Sequence, residues 1–514
     1  MSRRKKAVKN LYVSILCYSV NIVMAFGLRT IFIKVLSVDY LGINGLFTNI
    51  LSFLSLAELG IGTAIVYSLY APLADNDVEL VKTYMLIYKK VYNVIGCLVF
   101  ILGMCLLPAL PYFIAGETSI ESLNLIYLLF IFNSASSYFF SYNQSLLTAD
   151  QKIYMVKFYS EIFKVCMMIA QAVLLIVTRD YIFYLIASII FTLLTNIFLY
   201  YKTLRVYPFL KDKSSVSCLD DEKKNKLITN VKALFLHKIG SLLVVGVDNI
   251  VISAFIGLSA VGIYSNYTLI IANISAVITL IEGSIRAGIG NYVTKENDKK
   301  CYDFFMFNDF IWYVIYLFCA ICLVNLLNPF IGTIWLNDTS YLFDMSIVIV
   351  IVLDFFIKGM RKNTLLFKEV YGIYDQDKFK PLFEGGLNLI LSVILVQRMG
   401  IVGVLVATII TNVMINFLVE PYMVFKYGLK RDVKSYYVHL ILKVFTSLII
   451  IMVSMCVVSL IESNTVLAFV LRGVTAIIVF SVGVTLFNFK NIYYKKILST
   501  LKNNVKGKLF RRYK

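Results

Sequence analysis

The chain has 514 residues, of which 60% are hydrophobic and 15% charged, with a formal net charge of +19 and a mean hydropathy of +0.81. A soluble domain carries about 25% charged residues, so this chain lacks the polar side chains that a water-facing fold of its length would need. Apolar runs of about 20 residues recur from end to end, each able to cross a hydrocarbon core ~30 Å thick. The cations sit in short segments between these runs, where they orient a membrane protein; a nucleic-acid partner is excluded on the same pattern.

From the amino terminus, Arg3, Arg4, Lys5, Lys6 and Lys9 precede an apolar stretch from Leu11 to Leu36. It is longer than a signal-peptide core, contains Arg29 and Lys34, and has no small-residue cleavage site after it, so it reads as a retained first span. Further spans are expected near 41–70, 84–110, 120–147, 153–177, 181–201, 229–256, 261–292, 304–327, 341–364, 379–398, 401–425, 437–460 and 466–488. The total is about fourteen transmembrane helices, an all-α polytopic architecture. The runs at 41–70 and 261–292 exceed ~20 residues, so they must tilt, bend or project into water.

The loops test the count. With the amino terminus in the cytoplasm, the cytoplasmic loops receive Lys82, Lys152, Lys157, Lys202, Arg205, Lys211, Lys213, Lys223, Lys224, Lys226, Lys295, Lys299, Lys300, Lys368, Lys378, Lys426, Lys430, Arg431 and Lys434. A strongly basic tail follows from Lys490 to Lys514, whereas the opposite loops hold little beyond Arg179 and Arg398. Such asymmetry is the positive-inside rule at work, and it puts both termini in the cytoplasm.

No loop is long enough to be a domain. The largest, 202–228, is Lys-rich and suggests two halves joined by a cytoplasmic linker. A shift of 220 residues aligns Asn10 with Asn230, Arg29 with Asn249, Leu41-Gly42-Ile43 with Val261-Gly262-Ile263, and Thr48 with Thr268. The expected organisation is a six-helix lobe over 1–201, the linker 202–228, a second six-helix lobe over 229–427, and two extra helices with a basic tail over 428–514. Repeated halves are the usual build of secondary transporters, with the substrate site at their interface.

Ionisable groups in hydrocarbon cost ~2.5–3.5 kcal/mol on insertion scales, so each needs a partner or water. Arg29 lies about 28 Å along its helix at ~1.5 Å per residue, past the midplane, either facing a wet cavity or snorkelling outward. Glu58 and Asp248 sit inside the second and seventh spans as coupling sites or as ion-pair partners of Arg29 and Lys238. Glu282 and Arg286 are four residues apart and can pair along one helix face. His237 and Lys238 lie two turns into the seventh span. Asp354, Lys358, Arg361 and Lys362 form a stripe ending at the cytoplasmic face, which reads as interfacial anchoring. The cations suit an anionic cargo.

Nine cysteines add little. Cys17, Cys97, Cys105, Cys166, Cys319, Cys322 and Cys456 lie in apolar runs, and Cys218 and Cys301 in loops. Cys319 and Cys322 form a C-x-x-C, but with no second pair and only His237 and His439 in the chain no metal site or cofactor is expected.

Three stretches carry a resemblance. They are Arg29-Thr30-Ile31 leading into YLGINGLFTNILSFLSLAELGIGTAIVYSLYAPLA, HKIGSLLVVGVDNIVISAFIGLSAVGIYSNY, and GMRKNTLLFKEVYGIYDQDKFKPLFEGGLNLILSVILVQRMGIVGVLVATIITN followed by EPYMVFKYG. Together they resemble the Wzx-type polysaccharide flippases of the MATE-like MOP superfamily, over about residues 5 to 430. The resemblance implies two six-helix lobes around a cavity that opens alternately to either side of the bacterial cytoplasmic membrane. It implies a cargo of undecaprenyl-pyrophosphate-linked oligosaccharide repeat units, with membrane lipids and the polymerase machinery as partners. Arg29, Arg286, Lys238 and Lys358 become candidate contacts for the anionic head group, with Glu58, Asp248, Glu282 and Asp354 as coupling or pairing candidates.

Two other readings stand beside it. A cation-coupled multidrug antiporter of the same fold would more naturally expose carboxylates and aromatics, and the first span here lacks the proline of many such relatives. A membrane polymerase or glycosyltransferase would need catalytic side chains on a sizeable loop, and the loops here are short.

Overall fold

The computed structural model describes residues 3–58, 60–116, 120–212, 224, 231, 246–373, 375–377, 379–463 and 465–500. Among them it is all helix and turn, without a strand. Twelve helical stretches are long and apolar enough to cross a membrane, so this is a multi-pass membrane protein. Two of the fourteen expected spans are not among the twelve: 229–256 falls largely outside the described residues, and 341–364 is divided at Arg361.

By packing, the chain groups into two compact units, Met1–Ser265 with Pro381–Leu389, and Asn266–Lys380 with Ile390–Lys514. In the first unit the helices are α1 (Arg3–Val35), α2 (Val38–Leu54), α3 (Ile61–Ala74), α4 (Val78–Leu106), α5 (Leu123–Ala149), α6 (Ile153–Thr178), α7 (Tyr181–Val206) and α8 (Val247–Phe255). Helix α9 (Leu258–Lys295) starts there and continues into the second unit. It runs unbroken for 38 residues, about 57 Å at ~1.5 Å per residue, and so outruns the hydrocarbon core.

The long second run bends, one of the three outcomes its length allowed. After α2 comes a 3-10 turn over Ser55–Glu58, and Gly60 takes φ +72° before α3 begins. That left-handed conformation is one glycine adopts without steric cost. The core beneath it is aromatic: Tyr84, Tyr88, Tyr92 and Tyr142 pack with Ile65, Leu69 and Val99. Such rings prefer edge-on contacts, as Tyr88 and Tyr92 show at 4.3 Å and 88°.

The second unit contains the remainder of α9 and then α10 (Asp298–Pro329), α11 (Met345–Met360), α12 (Lys362–Val370), α13 (Lys380–Met399, of which Pro381–Leu389 groups with the first unit), α14 (Ile401–Thr411), α15 (Phe417–Met423), α16 (Lys434–Val458) and α17 (Val466–Asn488). Helix α10 is its axis, packed by α11, α16 and α17. Close approach to α11 depends on Gly359, where a Cβ would overlap the Tyr316 ring. The path from α14 through α15 carries π-helical turns at Asn412–Asn416 and Val424–Leu429, a widening that often marks functional sites in otherwise regular helices.

Candidate functional site

The sequence proposed four head-group cations, and the structure places three of them. Lys238 lies outside the described residues, as does His237.

Arg29 sits in the last two turns of α1 and donates through Nη2 to the Ser265 hydroxyl on α9. One turn on, Phe32 meets Tyr181 edge-on at 5.6 Å and Tyr184 at 5.4 Å. Tyr181 in turn stacks on Tyr184 at 5.6 Å and meets Tyr40 at 5.1 Å. The Tyr181 hydroxyl is buried with no hydrogen-bond partner. A guanidinium, a buried hydroxyl and an aromatic wall therefore gather at the far end of the first span from the amino terminus. Sequence reasoning singled out Arg29 because a cation deep in an apolar run is expensive; it did not single out the tyrosines, which are ordinary residues in a membrane helix until the fold brings them together.

Arg286 lies in a different setting. Its Nη2 meets Glu282 Oε1 at 2.8 Å, the pairing expected from the i, i+4 spacing, and its Nη1 lies 2.5 Å from Glu369 Oε2. Lys362 shares Glu282 at 3.0 Å. Glu282 is 4% exposed, and the quartet of two cations and two carboxylates is neutral. Lys358 pairs with Asp354 at 2.6 Å, again four residues apart. Both cations can still contact an anion, but each would do so beside a carboxylate.

Glu58 accepts a hydrogen bond from the Tyr92 hydroxyl at the bend between α2 and α3. Space is tight there: a Cβ on Gly62 would stand 2.6 Å from Glu58 Oε1, 2.8 Å from the Tyr88 hydroxyl, and overlap that of Tyr92. Tyr88 contacts Ser145 Oγ at 3.0 Å. A carboxylate thus meets phenols at a break in a membrane helix, the kind of discontinuity that hosts ions and protons in transporters. Asp248 lies in the first turn of α8 and is half-buried.

One cluster was misread. Arg361 is no interfacial anchor: it forms a two-point pair with Glu420 and also donates to Asn412 Oδ1. Lys380 reaches the same carboxylate and Asn416 Oδ1 at 2.7 Å. Glu420 is fully buried. A second buried pair, Lys443 with Asp309, joins α16 to α10, and Tyr436 donates to the same Asp309 at 3.2 Å. A lone Glu or Lys inside an apolar run signals such a pair, but only the fold names its partner. Beside this network lies an apolar groove of about 580 Å³, lined by Ile357, Val413, Phe417, Tyr437, Ile441 and Phe445.

No protein-family model matches the chain, and no curated protein is similar to it in sequence. Solved structures share its fold. An inward-facing multidrug resistance MATE family transporter of the MOP superfamily aligns with TM-score 0.62 and 14% identity, over 79% of this chain and 94% of that one. The lipid II flippase MurJ in an inward closed conformation aligns with TM-score 0.62 and 16% identity, over 94% of this chain and 99% of that one. A MOP superfamily transporter from Pyrococcus furiosus aligns with TM-score 0.54 and 12% identity, over 84% and 98%. The chain therefore has the fold of these transporters.

Proposed function

We propose that the protein is a flippase that carries an undecaprenyl-pyrophosphate-linked oligosaccharide across the bacterial cytoplasmic membrane by alternating access, for surface polysaccharide assembly. The reading starts from the shared transporter fold, and the observation that carries it is Arg29, bonded to Ser265 one turn from the aromatic group of Phe32, Tyr181 and Tyr184. A sugar diphosphate cannot cross hydrocarbon unaided, because its charges and hydroxyls would lose hydration without replacement. A guanidinium replaces that hydration for phosphate oxygens in a planar, two-point geometry. Aromatic faces offer apolar contact to the C–H faces of sugar rings, and phenol hydroxyls offer hydrogen bonds to their edges.

Arg286, Lys358 and Lys238 are secondary contacts in this reading, and Glu58 is the preferred coupling residue. The apolar groove beside α16 suits a polyprenyl tail, which stays in the hydrophobic phase throughout. The likeness to a lipid II flippase over 94% of this chain supports a lipid-linked cargo. Both termini lie in the cytoplasm under the positive-inside rule.

The test is a deletion strain. Loss of surface polysaccharide, with intact lipid-linked repeat units accumulating on the cytoplasmic side, is expected. Normal polysaccharide together with new sensitivity to cationic drugs would replace this reading with a multidrug antiporter.

A further inference from the structure

We propose that the first unit carries an inner-leaflet lipid site, a pocket between α4, α5 and α7 that takes the phosphodiester head group of an anionic phospholipid. It uses none of the residues assigned to transport above and needs no assumption about the cargo.

The sequence of α4 sets the pocket up. Lys82, Met85, Leu86 and Lys89 follow one another at i, i+3, i+4 and i+7, so they share one helix face, with a cation at each end and apolar side chains between. Lys82, counted above among the cytoplasmic-loop cations, lies inside α4 and is only 7% exposed. A 3-10 turn over Pro208–Lys211 follows α7 and brings Asp212 back to it, with the ammonium and carboxylate 3.1 Å apart. That pair occupies one of the three N–H donors of the lysine. Lys89 is exposed and has no ion-pair or hydrogen-bond partner among the described residues.

Tyr142 and Asn143 from α5 and Tyr200 from α7 line the other walls. Asn143 is 2% exposed and donates to the Phe140 carbonyl at 3.4 Å, longer than an ordinary N–H···O bond. The enclosed space is about 90 Å³. A single water needs ~10–15 Å³, so a phosphate group fits.

Depth and charge identify the ligand. The pocket residues of α5 and α7 lie in the last two turns before Ala149 and Val206, where Asp150, Lys152, Lys202 and Arg205 mark the water boundary. On α4 the last charge is Lys90, and none follows from Val91 to Leu106. The pocket therefore lies at head-group level, on the side that the positive-inside rule makes cytoplasmic. Basic pockets between membrane helices at that level bind acidic head groups. Two lysines and one carboxylate leave one positive charge, and a phosphodiester brings one negative. Lys82 and Lys89 meet its oxygens through charge-assisted bonds, while Met85 and Leu86 lie against the glycerol and the first methylenes of the chains. A soluble phosphate would offer the same oxygens but nothing to the apolar side chains.

The experiment compares the full-length protein with Lys89→Gln, Lys89→Arg and Lys90→Gln. Lys90 is exposed like Lys89 but lies about 100° round the helix, outside the pocket. Titration with phosphatidylglycerol, followed by native mass spectrometry of protein released from detergent, should show one lipid retained after the others are stripped. Lys89→Gln should weaken that binding about tenfold, the scale of one charge-assisted hydrogen bond; Lys89→Arg should keep it, and Lys90→Gln should match the parent. The same lipid should raise the melting temperature of the parent and of Lys90→Gln by more than that of Lys89→Gln. No change in Lys89→Gln overturns the site, and so does equal weakening in Lys90→Gln, which would reduce the effect to general surface charge. Displacement of the lipid by inorganic phosphate would make this a site for a soluble anion, and equal retention of phosphatidylcholine would remove the need for an anionic head group. Either result overturns the lipid assignment.

Discussion

Arg361 and Glu420, 59 residues apart, meet through two parallel hydrogen bonds, Nε to Oε2 at 3.0 Å and Nη2 to Oε1 at 2.6 Å. Lys380 joins the same carboxylate from the start of α13. One acid thus ties the ends of α11 and α13 to α15, inside a unit where water cannot replace it. Removing one member of a buried ion group costs ~3–5 kcal/mol, because the charges left behind are uncompensated. Glu420→Ala should therefore strip two cations at once and lower the melting temperature or the folded yield in detergent sharply. Arg361→Lys should cost less, losing the two-point geometry but keeping the charge. A Glu420→Ala protein that melts like the parent would show that the network contributes nothing to stability.

Arg29 and Arg286 make opposite predictions from similar sequence contexts. Arg29→Ala should leave insertion and folding intact and cut surface polysaccharide output by about tenfold or more, the scale of losing a charge-assisted hydrogen bond at ~1.5–3 kcal/mol. Arg286→Ala leaves Glu282 with Lys362 and should affect stability as much as transport. Unchanged polymer in both variants would remove the head-group role assigned to these cations.

Gly359→Ala places a methyl into the Tyr316 ring. Overpacking of this kind costs ~1–3 kcal/mol, so the variant should melt at lower temperature, and adding Tyr316→Leu should return part of the loss. Additive losses in the double variant would mean that the two residues do not share this contact.

Glu58→Gln keeps an acceptor for the Tyr92 hydroxyl, so folding should survive. If the bend between α2 and α3 takes up a proton or cation during transport, the variant should lose the dependence of export on the ion gradient. Tyr92→Phe should weaken that dependence without abolishing it. Gradient-dependent export that persists unaltered in Glu58→Gln would place coupling elsewhere.

The pair Lys443–Asp309 fastens α16 to α10. Lys443→Ala leaves the Asp309 carboxylate buried, and the expected result is a loss of several kcal/mol, read as a lower melting temperature. Asp309→Asn with Lys443→Met removes both charges and should recover much of it. A double variant no more stable than Lys443→Ala alone would assign the loss to packing rather than to the unpaired charge.

Much of this was legible in the residues, for identifiable reasons. Hydropathy forces helices in a bilayer because every backbone polar group must be satisfied within its own segment. Length called for a tilt, a bend or a projection into water in the second run, and the structure shows a bend at Ser55–Glu58. The i, i+4 spacing gave Glu282 with Arg286, since neighbours on a helix face are fixed by its pitch; the same spacing in Asp354 and Lys358 was read only as part of a stripe. Arg361 was misread because a stripe beside a span end looks the same whether it meets water or another helix. The tyrosines around Arg29 and Glu58 carry no sequence signal of their own.

The sequence by itself determined that the chain lives in a membrane, roughly how many times it crosses, and which charges lie too deep for water to solvate, because these follow from transfer energies and helix pitch along one segment. Only the tertiary structure decided the partners: Arg29 with Ser265, Arg361 with Glu420, and Lys82 with Asp212. Those contacts join segments 59 to 236 residues apart, and an apolar helix places no constraint on which distant helix it will meet. That choice is made by packing and charge compensation among all the helices at once.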